Sequence, residues 1–72
     1  MTQEEAMRLT NDNMNLINKK VKYQKVNFLV NQFVIDKVSE NDYIVKIALS
    51  PMPAIELLED FNIFNGNFSL LS

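Results

Sequence analysis

The apolar positions of the first 20 residues repeat with the period of an α-helix. Their stripe recurs at intervals of three or four residues and consists of Met7, Thr10, Met14, Ile17 and Val21. Thr2 and Glu5 have the spacing of a capping box, in which each side chain bonds the backbone N–H of the other. The pattern therefore predicts a helix over residues 2–20, with the stripe as its buried face.

Residues 21–38 alternate with the period of a strand, but the alternation changes phase once. Val26, Phe28 and Val30 share one face, whereas Phe33 and Ile35 follow in the opposite phase. The change falls at Asn31-Gln32, and either a bulge or a tight turn would produce it. We favour a long bulged strand, because a two-residue hairpin usually contains glycine.

A second strand follows a short polar turn. Residues 39–42 read Ser-Glu-Asn-Asp, whose side chains readily bond their own backbone. The next four apolar positions then alternate strictly: Tyr43, Val45, Ile47 and Leu49. The two runs predict an antiparallel hairpin.

The C-terminal third begins with prolines, which cannot donate to a strand ladder. Pro53 suits the first turn of a helix, and we predict that helix over Ala54–Phe61, with Ile55, Leu58 and Phe61 available for burial. Asn65-Gly66 is a strong hairpin signal. Residues 61–72 are therefore expected either to fold back as a small hairpin or to extend as a flexible or binding tail.

Together these elements predict a single α+β domain over residues 1–72. Its parts are an N-terminal helix, a bulged antiparallel β-hairpin, a short helix and an extended or hairpin C-terminal segment. A chain of 72 residues buries little surface and is often stabilised by self-association, so we expect a homodimer.

Composition argues against catalysis. The chain has no cysteine and no histidine, which removes disulfides, thiolate nucleophiles, imidazole bases and nearly every zinc site. Gly66 is the only glycine, so there is no glycine-rich phosphate loop. Glu56 and Asp60 are one helical turn apart in the predicted helix, and we interpret them as a solvated face rather than a metal site. We expect no cofactor and no enzymatic activity.

No apolar run is long enough to cross a membrane, and the N-terminus lacks the pattern of a signal peptide. The expected location is therefore cytoplasmic, without a membrane partner.

The lysines define one candidate nucleic-acid site. Lys20, Lys22 and Lys25 surround Tyr23, a pattern in which lysines would hold phosphates while an aromatic ring stacks on a base. The net charge of −2 argues against strong non-specific attraction to nucleic acid. A lysine-rich strand edge that discourages aggregation explains the same residues.

The segment Asn67-Phe68-Ser69-Leu70-Leu71 resembles the peptide Gln-Leu-Ser/Asp-Leu-Phe, by which many bacterial proteins dock on the replication sliding clamp. It keeps the serine and the following leucine and departs at Asn67, which is shorter than glutamine. The chain also looks like the small proteins by which some phages block the host clamp. The competing interpretation is a strand of the predicted hairpin, or a tail packed on the core.

The resemblance implies a small, non-enzymatic inhibitor or regulator that binds a host protein such as the sliding clamp. The residues expected to contact that partner are Phe61, Phe64, Asn67, Phe68, Ser69, Leu70 and Leu71. A nucleic-acid-binding module based on Lys19 to Phe28 is the first alternative. A structural or assembly subunit, whose surplus apolar surface is buried by neighbours, is the second.

Overall fold

The computed structural model describes residues 1–52 and 55–71. In that part of the chain the elements follow one another as α1 (Gln3–Asp12), a 3₁₀ helix (Met14–Leu16), β1 (Lys20–Tyr23), β2 (Val26–Ser39), β3 (Asp42–Met52), β4 (Ile55–Asp60), α2 (Phe61–Phe64) and β5 (Phe68–Leu70). The predicted α+β class is confirmed.

The five strands form one antiparallel sheet in the order β4-β3-β2-β1-β5. Helix α1 packs on β2 and β3, and α2 packs on β3 and β4. Apart from Ala48, the buried side chains of the sheet lie on one face, which the helices cover, so the sheet has one covered face and one open face. Strands β4 and β5 are its two edges.

The phase change in β2 is a bulge, as predicted. Val30 pairs with Leu49 and Gln32 pairs with Ala48, which leaves Asn31 as the extra residue. The Asn31 amide Nδ2 donates to Ser50 Oγ at 2.6 Å and to Glu56 Oε2 at 3.1 Å. The bulge therefore keeps the apolar residues that precede and follow it in β2 on the covered face. The side chain of Asn31 links strands β2, β3 and β4.

The N-terminal prediction is correct at its start and wrong at its end. The Thr2 hydroxyl accepts from the Glu5 N–H at 3.1 Å, and the Glu5 carboxylate accepts from the Thr2 N–H at 2.9 Å, which confirms the capping box. The α-helix ends at Asp12 instead of continuing to residue 20. The predicted buried face is also wrong, because Met7 and Met14 are about half exposed and the buried residue of α1 is Ala6.

Residues 20–29 form a hairpin that was not predicted. Gln24 and Lys25 occupy its two-residue turn with φ of 52° and 66°, the left-handed pair typical of a type I′ turn. Neither residue is common there, since a side chain in the left-handed region is strained. This turn separates β1 from β2 and adds a strand to the predicted hairpin.

The predicted helix over Ala54–Phe61 is also wrong. Residues 55–60 form strand β4, and the short helix lies one element later, at Phe61–Phe64. Ile55 and Leu58 are exposed rather than buried, whereas Phe61 is buried. Pro53 and Ala54, to which we assigned the helix start, lie outside the described residues.

The core lies between the covered face and the helices. Its buried side chains are Ala6, Leu16, Val21, Tyr23, Phe28, Val30, Val45, Ile47, Leu49, Phe61 and Phe64. The ring of Phe64 stacks on that of Phe68 with centroids 4.4 Å apart, and Phe61 meets Phe33 edge to face at 5.3 Å. Aromatic packing of this kind ties the C-terminal segment to the sheet.

Candidate functional site

Two of the residues predicted to contact a partner belong to the core. Phe61 and Phe64 are almost fully buried beneath the sheet. Neither ring is available to another protein in this fold. The sequence grouped them with the tail because the strand before them was interpreted as a helix.

The rest of the clamp-like segment is strand β5 and its flanks. β5 pairs with β1, not with the residues before Asn65-Gly66, so the predicted C-terminal hairpin does not form. The Asn67 amide donates to the Ile63 carbonyl at 2.7 Å, and the Leu71 N–H donates to the Lys20 carbonyl at 2.9 Å. The backbone of this segment is thus held by the protein itself.

Asn67 and three further side chains of the segment remain accessible. Leu70 is 60% exposed and Leu71 is 36% exposed, and Ser69 between them is also exposed. Phe68 is half-buried against Phe64. The exposed leucines are the part of the predicted partner site that the fold presents to solvent.

The four residues of the nucleic-acid prediction do not converge. Lys20 and Lys22 are exposed on the open face, while Tyr23 lies on the covered face and is buried. Lys25 lies in the turn. Because the Tyr23 ring packs against Phe28 and Phe64, it is not available to stack on a base.

Beside Lys20, the open face has a groove of about 310 Å³. Its lining combines apolar and polar side chains: Lys20, Asn27, Phe28, Leu29, Ser50, Pro51 and Leu71. Leu71, one of the accessible tail leucines, thus lines the same groove as Lys20.

Strand β4 is an edge of the sheet with three exposed apolar side chains. It contains six residues, of which Ile55, Leu57 and Leu58 are 52%, 39% and 46% exposed. Its inner side pairs with β3, and in residues 1–52 and 55–71 no strand pairs with its outer side. The outer backbone groups and an apolar row thus lie together at one edge.

The register with β3 assigns each side chain of β4 to a face. Leu57 lies opposite the buried Leu49 and Glu59 opposite the buried Ile47, so these two and Ile55 are on the covered face. The other three point to the open face: Glu56, Leu58 and Asp60. The open face of β4 thus carries a leucine between two carboxylates.

Glu59 makes a contact that crosses the sheet. Its Oε2 accepts a hydrogen bond from the Tyr23 hydroxyl at 2.9 Å, although β2 and β3 lie between their strands. Burial, and then the bond and the charge of Glu59, raise the pKa of the Tyr23 phenol. The Glu59 carboxylate is therefore engaged within the protein.

Strand geometry changes the interpretation of the Glu56–Asp60 pair. Four residues of strand span about 13 Å, so these two carboxylates are too far apart to bind one ion together. Among the residues that the structure describes, no group of three or more metal-ligating side chains is found.

The sequence analysis did not identify β4 as a candidate site. Ile55, Glu56, Leu57 and Leu58 alternate poorly, and six residues are too few to separate a period of two from one of 3.6. The signal that was available is the proline-rich stretch before it, which ends one strand and permits a return strand.

No helix among the described residues is long and apolar enough to cross a membrane. Comparison of the chain with protein-family models, with curated proteins and with solved structures found no match.

Proposed function

We propose that this chain is a small, non-enzymatic protein that acts by binding another protein at the exposed edge of its sheet. The observation that carries the proposal is strand β4, an edge strand with three exposed apolar side chains. Natural sheets usually protect their edges with charged side chains, especially lysine, with proline and bulges, or with very short strands. The described strand β4 is six residues long and contains neither lysine nor proline. Its three charged residues, Glu56, Glu59 and Asp60, are all negative, so they repel a second copy of the edge but not a cationic strand.

The other edge is protected in the usual way. β5 has three residues, which limits the ladder that a further strand could form there. The contrast between the two edges supports β4 as the binding edge. An edge strand of this kind offers main-chain hydrogen bonds for affinity and alternate side chains for specificity.

The proposal is tested by capture from a bacterial lysate with matched lysine variants. Leu58→Lys introduces a charge on the open face of β4, and Met7→Lys makes the same kind of change at an exposed site on α1. We expect the wild type and Met7→Lys to retain the same protein, and Leu58→Lys to lose it.

The captured protein is then identified by mass spectrometry and its binding measured again with purified components. Retention by all three chains, or capture of no protein that rebinds when purified, would contradict the proposal. Circular dichroism checks that both variants fold.

A sliding clamp is a second candidate partner, favoured by the exposure of Leu70 and Leu71. Docking of this segment in the extended form of a clamp peptide requires β5 to leave β1, since its backbone is paired there. A three-residue terminal strand has a low cost of opening relative to the sheet centre.

This candidate is tested by titration of a purified bacterial clamp. Replacement of Leu70 and Leu71 by alanine should weaken binding by more than about 1 kcal/mol, the scale of an interface hot spot. Ile63→Ala is the control, because Ile63 is equally exposed but lies outside the motif. Equal affinity of the two variants would exclude clamp docking through this segment.

A further inference from the structure

We propose that the occupant of the β4 edge is an extended, basic segment of a partner protein, which adds to the sheet as a sixth strand. This inference rests on the proposed function, because it takes β4 as the binding edge. It adds the chemistry of the partner and the residues that select it.

The main chain provides the first part of the argument. β4 pairs with β3 from Lys46↔Asp60 to Leu49↔Leu57, so its inner backbone groups are used. In an edge strand, every second peptide group points outward. A strand of the partner protein, here called the guest strand, could therefore form a ladder of backbone hydrogen bonds along Ile55–Asp60. No element of this protein would have to move.

The side chains of the open face provide the second part. Glu56 and Asp60 lie on either side of Leu58, and a residue of a guest strand sits about 5 Å from the residue opposite it. Two cations in the guest, four positions apart with an apolar residue midway, would match this face. The pattern is cation, any residue, apolar residue, any residue, cation.

The neighbouring lysine does not neutralise this edge by a salt bridge. Lys46 lies beside Asp60 in the ladder, but its Nζ binds Asp36 Oδ2 at 2.9 Å. Glu56 accepts from the uncharged amide of Asn31, and Asp60 accepts from the Asn62 N–H. Each carboxylate has a neutral donor among the described residues and keeps its negative charge for a guest.

The covered face has a different requirement. Ile55 and Leu57 are exposed there, while Glu59 already accepts from Tyr23. Residues opposite the first two should be apolar, and the residue opposite Glu59 needs no charge. The sequence Lys-Thr-Leu-Val-Lys-Val satisfies the requirements of both faces when it runs antiparallel to β4, from opposite Asp60 to opposite Ile55.

A second copy of this chain fits the edge poorly if the two β4 strands pair with each other across a two-fold axis. A two-fold axis through the seam requires side chains of the same face to lie opposite one another. With Leu58 opposite itself, Glu56 lies against Asp60, and like charges directly opposite are destabilising. With Leu57 opposite itself, six carboxylates from the two strands still line one seam.

The test uses fluorescein-labelled peptides with that sequence and flanking serines, measured by fluorescence anisotropy against the full chain. We expect saturable binding that weakens as salt is added, and about tenfold or greater loss when both peptide lysines are changed to glutamate. Glu56→Lys should remove most of this preference, because one peptide lysine then faces the introduced lysine while the other still faces Asp60. Glu40→Lys, the same change in the β2–β3 turn, should leave it unchanged.

Strand addition is separated from simple charge attraction by N-methylation of the peptide. Methyl groups on alternate residues block the hydrogen bonds of one edge of the guest and leave the other edge free. Methylation of one set of alternate residues should abolish binding, and methylation of the other set should preserve it. If Glu56→Lys fails to fold, Glu56→Gln retains an acceptor for Asn31 and removes the charge.

Three results would overturn the inference: equal affinity for lysine and glutamate peptides, equal loss with both sets of methyl groups, or sedimentation that shows a dimer abolished by Leu58→Lys. If the lysate partner still depends on Leu58 while the peptides show no preference, protein binding stands and the basic strand is rejected. Peptide selectivity without any lysate partner would reject the proposed function alone.

Discussion

Tyr23 joins two parts of the sheet that are separated along its strand order. Its hydroxyl donates to Glu59 at 2.9 Å across the width of β2 and β3, which requires the sheet to curl over its core. The ring itself packs between Phe28 and Phe64. The residue therefore contributes both to the core and to the closure of the sheet.

Tyr23→Phe should lower the free energy of unfolding by about 1–2 kcal/mol, because it removes a hydrogen bond to a carboxylate and keeps the ring. Denaturant titration measures the change. Tyr43→Phe is the matched control, since no hydrogen bond of its hydroxyl is found within the described part of the chain. Equal effects of the two changes would show that the Glu59 contact has no net value.

The same contact predicts a dependence on alkaline pH. The folded state raises the pKa of the Tyr23 phenol, so it binds the phenolic proton more tightly than the unfolded chain does. This contribution to stability is complete below about pH 10, the unfolded value, and is lost as the pH rises through the folded value. Tyr23→Phe should therefore lose less stability than the wild type above pH 10.

The capping box leads to a corresponding prediction at acidic pH. The hydrogen bonds of Glu5 with the Thr2 backbone and side chain lower the pKa of its carboxyl group. That stability is present above the unfolded value of about 4.5 and lost as the pH falls through the lowered value. Thermal unfolding between pH 5 and 2 should show this loss in Glu4→Gln and a smaller one in Glu5→Gln.

Among the elements, the turn between β1 and β2 is the one whose sequence fits its conformation least well. Replacement of Gln24-Lys25 by Asn-Gly should stabilise the protein by about 1 kcal/mol, since both positions have positive φ. Denaturant titration tests this. Asn41→Gly, in the β2–β3 turn where no positive φ occurs, should give no gain, and a similar gain there would contradict the argument.

The elements also show what the sequence could and could not specify. The bulge and the β2–β3 hairpin were predictable because long strands expose their phase through many alternating positions. The β1–β2 turn was not, since Gln-Lys lacks the usual signature of a type I′ turn. Residues 55–60 contain helix-forming side chains, and only the pairing with β3 makes them a strand.

The residues of the candidate site also differ in how far local sequence predicts whether they are exposed. Leu70 and Leu71, which the clamp-like pattern assigns to a partner, are exposed in the fold, and their role in binding stays a prediction. Phe61 and Phe64 are buried instead, because β4 delivers them to the core. The β4 edge itself is a product of the sheet order, which no local pattern encodes.

At the scale of the whole molecule, the aromatic cluster holds the C-terminal segment against the core. Phe64→Ala should cost about 3–5 kcal/mol and leave a protein that is largely unfolded on heating to moderate temperature. Leu70→Ala should cost less than about 1 kcal/mol, because its side chain is mostly exposed. Comparable losses for the two variants, measured by thermal unfolding, would show that the tail and not the cluster limits stability.

The carboxylates of β4 have one more consequence, for the behaviour of the protein when no partner is present. An unpaired, apolar strand edge is a template for fibril growth, and Glu56, Glu59 and Asp60 keep copies apart by repulsion. Removal of these charges removes that barrier. A variant with Glu56→Gln and Asp60→Asn should therefore form thioflavin-positive fibrils at neutral pH, and Leu58→Lys added to that variant should delay them, because it restores a charge to the edge.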